Sequence, residues 1–354
     1  MKLSHIAPLD GVRATAALMV LFFHCFQITT FNTTAGQMLQ KIGFLGQTGV
    51  SLFFVLSGFL ITRILLQQVK DPNYLFNFFM RRALRIFPLY FMYLCIIYFI
   101  LPTIFDKPIP DFSQQWYYWF YLQDFAITFR WPAIGPKHFW SLAIEEHFYL
   151  VWPFIVLFAS TRGVIVACIS LITVSIITRI FLVNYGYETY FFTFSRLDEI
   201  SLGCLLAVLE YKNILSKIPI KWIGWAFSLV VCLAAILWFL FTAQANPIIQ
   251  VVKYQFISLT YLLGVAWTIL APKENPIIRF LSSKVMTFTG SISYGIYVYQ
   301  ALAIEWAKHY NLNNNLLFFI AVIIAIYLMA TISFYGIEKP ILSLKNKLTL
   351  QPVR

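Results

Sequence analysis

The sequence predicts an all-α protein, a polytopic membrane helix bundle of about ten transmembrane helices with both termini cytoplasmic. Three observations predict it. The 354 residues are 60% hydrophobic, 19% aromatic and only 11% charged, with a mean hydropathy of +0.76, whereas water-facing domains carry about 25% charged residues. That leaves too little polar material to cover a soluble surface, so the solvent is largely lipid. The apolar residues fall in runs close to the ~20 residues that cross a bilayer. The 26 Lys and Arg residues gather at the ends of those runs, so the net charge of +12 follows membrane topology and no nucleic acid is expected as a partner.

In chain order the expected spans are 8–31, 44–69, 86–105, 138–160, 163–184, 196–211, 222–243, 251–271, 285–307 and 316–337, of which 196–211 is short. The first is no cleavable signal peptide, because Asp10 and Arg13 interrupt its start and no small-residue cleavage site follows it. An eleventh stretch at 114–129 is short, aromatic and carries Asp124; it reads as interfacial or re-entrant. With the N-terminus inside, seventeen Lys and Arg residues fall in cytoplasmic regions and six outside, while Arg13, Arg179 and Arg196 lie within spans. Residues 1–345 are expected to form one transmembrane domain and 346–354 a short basic cytoplasmic tail. The five cysteines lie in apolar runs without metal-ligand spacing and read as reduced packing residues.

Charged groups inside spans are expensive, so each is a candidate functional residue. Arg13 and His24 are eleven residues apart on the first span, within about 20° of three full turns, with a rise of roughly 16 Å. One stripe of one helix therefore offers an anion grip at one level and a titratable imidazole at another. Arg81, Arg82 and Arg85 cluster at i, i+3 and i, i+4, a spacing suited to phosphate binding and equally to contact with anionic membrane lipids. In HFWSLAIEEHFYLVWP, Glu145 and Glu146 enter an apolar run beside His138, Ser141, His147 and Tyr149. Adjacent positions point about 100° apart, so one carboxylate works inside the bundle, and Glu146 is the first choice. SRLDEISLG places Arg196, Asp198 and Glu199 at the start of another span, where a buried ion-pair network fits as well as catalysis. Ser57 and Gly58 in GVSLFFVLSGFLI are small enough for close approach of a helix or of a ligand's thin arm. There is no zinc spacing and no nucleotide-binding glycine motif.

Taken in order, LDGVRATAALMVLFFH, GVSLFFVLSGFLI, MRRALRIFPLY, FWSLAIEEHFYLVWP, SRLDEISLG, GSISYGIYVYQ and the late EKP resemble the acyltransferase type 3 family of membrane O-acyltransferases nearly end to end. The resemblance implies a ten-helix protein of the bacterial cytoplasmic (inner) membrane. Such a protein moves an acyl group, commonly acetyl, from cytoplasmic acyl-CoA to a hydroxyl of an extracytoplasmic glycan, such as a lipopolysaccharide O-antigen. Carried over by residue, the Arg-x10-His pair falls on Arg13 and His24. The basic cluster falls on Arg81, Arg82 and Arg85, the paired acids on Glu145 and Glu146, and the R-x-D-E element on Arg196, Asp198 and Glu199. His147 stands where a Gln is usual, and Gln300 where many members have a His.

The mechanism so implied holds the nucleotide end of acetyl-CoA at Arg81, Arg82 and Arg85. Its arm passes Ser57 and Gly58, and the thioester travels a passage shared by Arg13 and His24. Glu146 orients His24, with Asp198 and Glu199 as second candidates, and Asp10, Glu145 and Tyr149 belong to the supporting polar network. At His24 the imidazole acts as general base for the acceptor hydroxyl or briefly carries the acyl group itself, and the hydrolase-like domain fused to larger relatives is missing from this sequence, which implies transfer to the acceptor without a second catalytic module. An acyltransferase for a lipid or peptide acceptor is the rival reading. A secondary transporter would show related halves, and no internal repeat is present.

Overall fold

A computed structural model describes residues 5–240, 247–310 and 314–344; the basic tail expected at 346–354 lies outside the described residues. Every regular element among the described residues is helical. The first half holds α1 (Ala7–Ile28), α2 (Thr34–Phe44), α3 (Gly49–Gln68), α4 (Tyr74–Cys95), α5 (Leu101–Ile104), α6 (Phe112–Trp119), α7 (Gln123–Thr128) and α8 (Trp140–Phe158). Then follow α9 (Thr161–Asn184), α10 (Leu197–Tyr211), α11 (Ile220–Leu240), α12 (Pro247–Leu270), α13 (Pro276–Leu281), α14 (Lys284–Ser291), α15 (Ser293–His309), α16 (Asn315–Ser333) and α17 (Lys339–Ser343).

Among the described residues, eight helical segments are long and apolar enough to cross a membrane, two fewer than expected. The shortfall has two physical causes. The 196–211 element is a 15-residue helix, α10, about 22 Å long, and it is buried among α3, α9 and α12. The 285–307 run is broken at Ile292 into α14 and α15, where the Ser293 hydroxyl donates to the Gly290 carbonyl. The basic cluster is also placed differently: α4 begins at Tyr74, so Arg81, Arg82 and Arg85 lie well inside a 22-residue helix, not before it. A π turn over Ile96–Ile100 carries that helix on into α5.

The stretch 114–129 forms no span. It makes α6 and α7, with Tyr121 between them at a left-handed φ of 58°. Asp124 is fully buried and accepts from the Thr193 amide (3.2 Å) and hydroxyl (2.6 Å), fastening this segment to the loop before α10.

α3 and α10 form the central crossing. A Cβ on Gly58 would run into the Ile200 carbonyl, and one on Gly203 into the Val55 carbonyl. The two glycines let the backbones touch in both directions. Gly58 thus belongs to helix packing, and only its neighbour Ser57 is free to line a cavity. Two ion pairs lock the same region: Arg179 with Asp198 at 2.8 Å and Arg196 with Glu199 at 3.1 Å, all four side chains at most 1% exposed. Arg196 is boxed by the rings of Tyr254 (4.4 Å) and Tyr190 (4.8 Å). Charges this deep persist only when paired, and removing one partner costs about 3–5 kcal/mol. At the periphery, α11 packs chiefly against α12 and exposes Trp222, Trp225 and Leu229, as a lipid-facing helix does. Cys25, Cys168 and Cys204 are buried, but Cys95 and Cys232 lie on exposed faces, so the packing expected of all five cysteines holds for three.

Candidate functional site

One cavity is built by helix periodicity. On α8, Ser141, Glu145 and Tyr149 recur every four residues and share a face; Arg82 and Arg85 on α4, and Tyr294 and Tyr297 on α15, do so at i, i+3. With Ser57 from α3 and Arg13 from α1 these side chains enclose roughly 870 Å³ of empty space, the open mouth included. Asp10 accepts from Arg13 at 2.9 Å and also contacts His5 at 2.7 Å. The Arg82 guanidinium stacks over the Tyr149 ring at 5.0 Å, and the Tyr149 and Ser57 hydroxyls are hydrogen-bonded. Three guanidinium groups face one carboxylate, Glu145, along these walls, so the cavity is a net anion grip.

A second, separate space opens near the other end of α1. Its walls include His24 and Gln27 from α1, Lys137 and His138 from the turn before α8, and Gln300 and Glu305 from α15. His24 Nδ1 lies 3.1 Å from the Gln27 side-chain oxygen. An amide oxygen only accepts, so Nδ1 carries the proton and Nε2 is left as the basic nitrogen. By the same logic His138 donates from Nε2 to the Val298 carbonyl at 3.2 Å.

Arg13 and His24 share a helix, and where the sequence suggested one passage the structure places Arg13 on the wall of the first space and His24 on that of the second. Between the arginine cavity and the histidine pocket stands a seam. The Tyr297 hydroxyl, on the cavity wall, donates to the His138 carbonyl, and Ser141 bonds the same phenol oxygen at 2.5 Å. These contacts pin the start of α8 to α15.

Other expectations are corrected as well. Glu146 lines neither space and its Oε1 is buried without a hydrogen-bond partner; its neighbour Glu145 faces the cavity because the 100° step turns the two apart. The group that orients His24 is Gln27, one turn along the same helix, and not Glu146, Asp198 or Glu199. Asp198 and Glu199 are committed to Arg179 and Arg196. Arg81 is off the cavity wall, unlike Arg82 and Arg85. His147 reaches the Thr193 hydroxyl at 2.8 Å and lines neither space. Gln27 was not singled out from the sequence, although its i, i+3 spacing to His24 is the signal that would have found it. Tyr297 lies in the GSISYGIYVYQ segment, but its contact is with His138, 159 residues away, which spacing within its own helix does not report.

Residues 6–335 match the model of a family described as an acyltransferase domain. The chain belongs to this acyltransferase 3 family. Among curated relatives, O-acetyltransferase OatA of Staphylococcus aureus (strain NCTC 8325 / PS 47) is 29% identical over 357 residues, which cover 95% of this chain and 57% of the relative. A putative peptidoglycan O-acetyltransferase, YrhL of Bacillus subtilis (strain 168), is 29% identical over 365 residues, covering 95% of this chain and 55% of the relative. A putative O-acetyltransferase of Staphylococcus aureus (strain COL) is 28% identical over 96% of this chain and 58% of its own length. The chain thus spans a little over half the length of the curated relatives it matches. No solved structure gives a significant match.

Proposed function

We propose that the protein is an O-acetyltransferase of the bacterial cytoplasmic membrane that moves an acetyl group from cytoplasmic acetyl-CoA to a hydroxyl of an extracytoplasmic glycan. One observation carries the reading: a single membrane helix bears, about three turns apart, a guanidinium in a cavity of arginines and an imidazole with a fixed tautomer in a second pocket. The distribution of Lys and Arg supports a cytoplasmic arginine cavity, where Arg13, Arg82 and Arg85 hold the phosphates of the donor. The thin arm runs along Ser57 and Ser141 toward Tyr297. In the histidine pocket His24 Nε2 takes the proton of the acceptor hydroxyl as its oxygen attacks the thioester carbonyl. The carbon–sulfur bond then breaks, and the departing thiolate takes that proton.

The name of the Bacillus subtilis relative, a putative peptidoglycan O-acetyltransferase, supports a glycan acceptor, and peptidoglycan over a lipopolysaccharide O-antigen. A lipid or peptide acceptor is the second choice. Membranes carrying the protein, given labelled acetyl-CoA and peptidoglycan fragments, are expected to release free CoA and form base-labile acetyl esters. His24→Ala is expected to lower that rate by at least about 10²-fold while the protein stays inserted; unchanged ester formation by this variant would overturn the role of His24.

A further inference from the structure

Gln300 sits on α15 one turn beyond Tyr297, so the same helix face that closes the arginine cavity continues into the wall of the histidine pocket. Its side chain is 1% exposed, and its amide nitrogen is buried with no hydrogen-bond acceptor. An unsatisfied buried donor costs about 1–3 kcal/mol, a cost that a ligand oxygen would offset on arrival. We infer that Gln300 is the oxyanion donor of the histidine pocket, its amide N–H holding the carbonyl oxygen of the acetyl group as that oxygen becomes negative. The inference rests on the acetyl transfer proposed above and deepens it.

The chemistry demands such a donor. When the acceptor oxygen bonds to the thioester carbon and its proton passes to His24 Nε2, the carbonyl π electrons move onto oxygen. They return when the carbon–sulfur bond breaks and the thiolate leaves with the proton from His24. A neutral amide buried away from water stabilises that transient charge far better than a solvated group, because nothing has to reorganise when the charge appears. The other polar groups of the pocket are committed or wet. The N–H of His138 is spent on the Val298 carbonyl. Lys137 is exposed and lies over the Phe191 ring at 4.7 Å. Gln27 is exposed and serves His24, while Glu305 is an exposed carboxylate paired with Lys308. Gln300 is left as the buried, uncommitted donor of this pocket.

The test compares purified wild type with Gln300→Leu, Gln300→Glu and Gln300→His, using labelled acetyl-CoA and soluble peptidoglycan fragments, and measures kcat and both KM values. Gln300→Leu keeps the size and removes the donor, and kcat is expected to fall about 10²–10³-fold with both KM values nearly unchanged. Gln300→Glu, which places negative charge against the oxyanion, is expected to fall at least as far, and it carries the test should the leucine variant misfold. Gln300→His restores an N–H at similar reach and is expected to recover part of kcat, which a purely structural role would not produce. Full kcat in folded Gln300→Leu, or a rise only in the KM for fragments, overturns the assignment and leaves the transferase reading standing. A wild-type protein that releases no CoA overturns both.

Discussion

The arginine cavity and the histidine pocket lie along one helix, yet they are built by opposite means. The cavity is walled by five long helices, and its chemistry is net charge: Arg13, Arg82 and Arg85 against Glu145. The pocket takes part of its wall from the short connection at residues 135–138, which ends in a single 3-10 turn, and relies on groups whose protons are fixed by hydrogen bonds, His24 by Gln27 and His138 by Val298. Charge suits holding a polyanion, because it acts at range and tolerates imperfect fit. Oriented neutral groups suit the chemical step, where position decides the rate. In the transfer proposed above, binding and chemistry are separated in space, and the Tyr297 seam between them has to part for an acyl group to pass.

The comparison predicts that variants on the two sides fail differently. Arg85 is exposed on the cavity wall, so Arg85→Ala leaves the fold intact; losing one charge-assisted phosphate contact, about 1.5–3 kcal/mol, is expected to raise the KM for acetyl-CoA at least tenfold with little change in kcat. The same kcat loss as in His24→Ala would break the division of labour. A smaller effect is expected at the seam. Tyr297→Phe keeps the ring but loses the contacts to His138 and Ser141, so water gains access to the thioester. Acetyl-CoA hydrolysis without any acceptor, followed as free thiol, is expected to rise severalfold, and an unchanged background rate would show that the seam is no barrier.

The smallest effect concerns the support of the pocket. Burial pushes the Asp124 carboxyl up to about 7 from its ordinary 3.8. Below about pH 4 the folded and unfolded chains are both protonated at this group. As the pH rises further the unfolded chain releases a proton that the folded one retains, so stability falls up to about pH 7 and then levels off. His147, whose Nδ1 is 3.9 Å away, is the titratable group facing it. Docking of the α6–α7 segment is therefore expected to weaken from pH 5 to pH 7, seen as faster amide exchange over residues 112–134. Asp124→Asn, which keeps an acceptor for Thr193, is expected to flatten that slope; an unaltered slope would assign the pH response to another group.

Composition and spacing determined much of this protein. A chain with 11% charge and apolar runs of bilayer length has no soluble alternative, and the intramembrane charges stood out because lipid makes them costly. The placement of Arg13 and His24 on one stripe follows from the helical repeat alone, as does the divergence of Glu145 from Glu146. Only the tertiary structure decided which of those two acids faces the cavity, that Gly58 belongs to a helix crossing, and that Asp198 and Glu199 are consumed by Arg179 and Arg196. It also decided that Arg13 and His24 line two different spaces, with Tyr297 of the first bonded to His138 of the second. Periodicity reports which residues share a face of their own helix, but it carries no information about which other helix that face meets, and the site is made of such meetings.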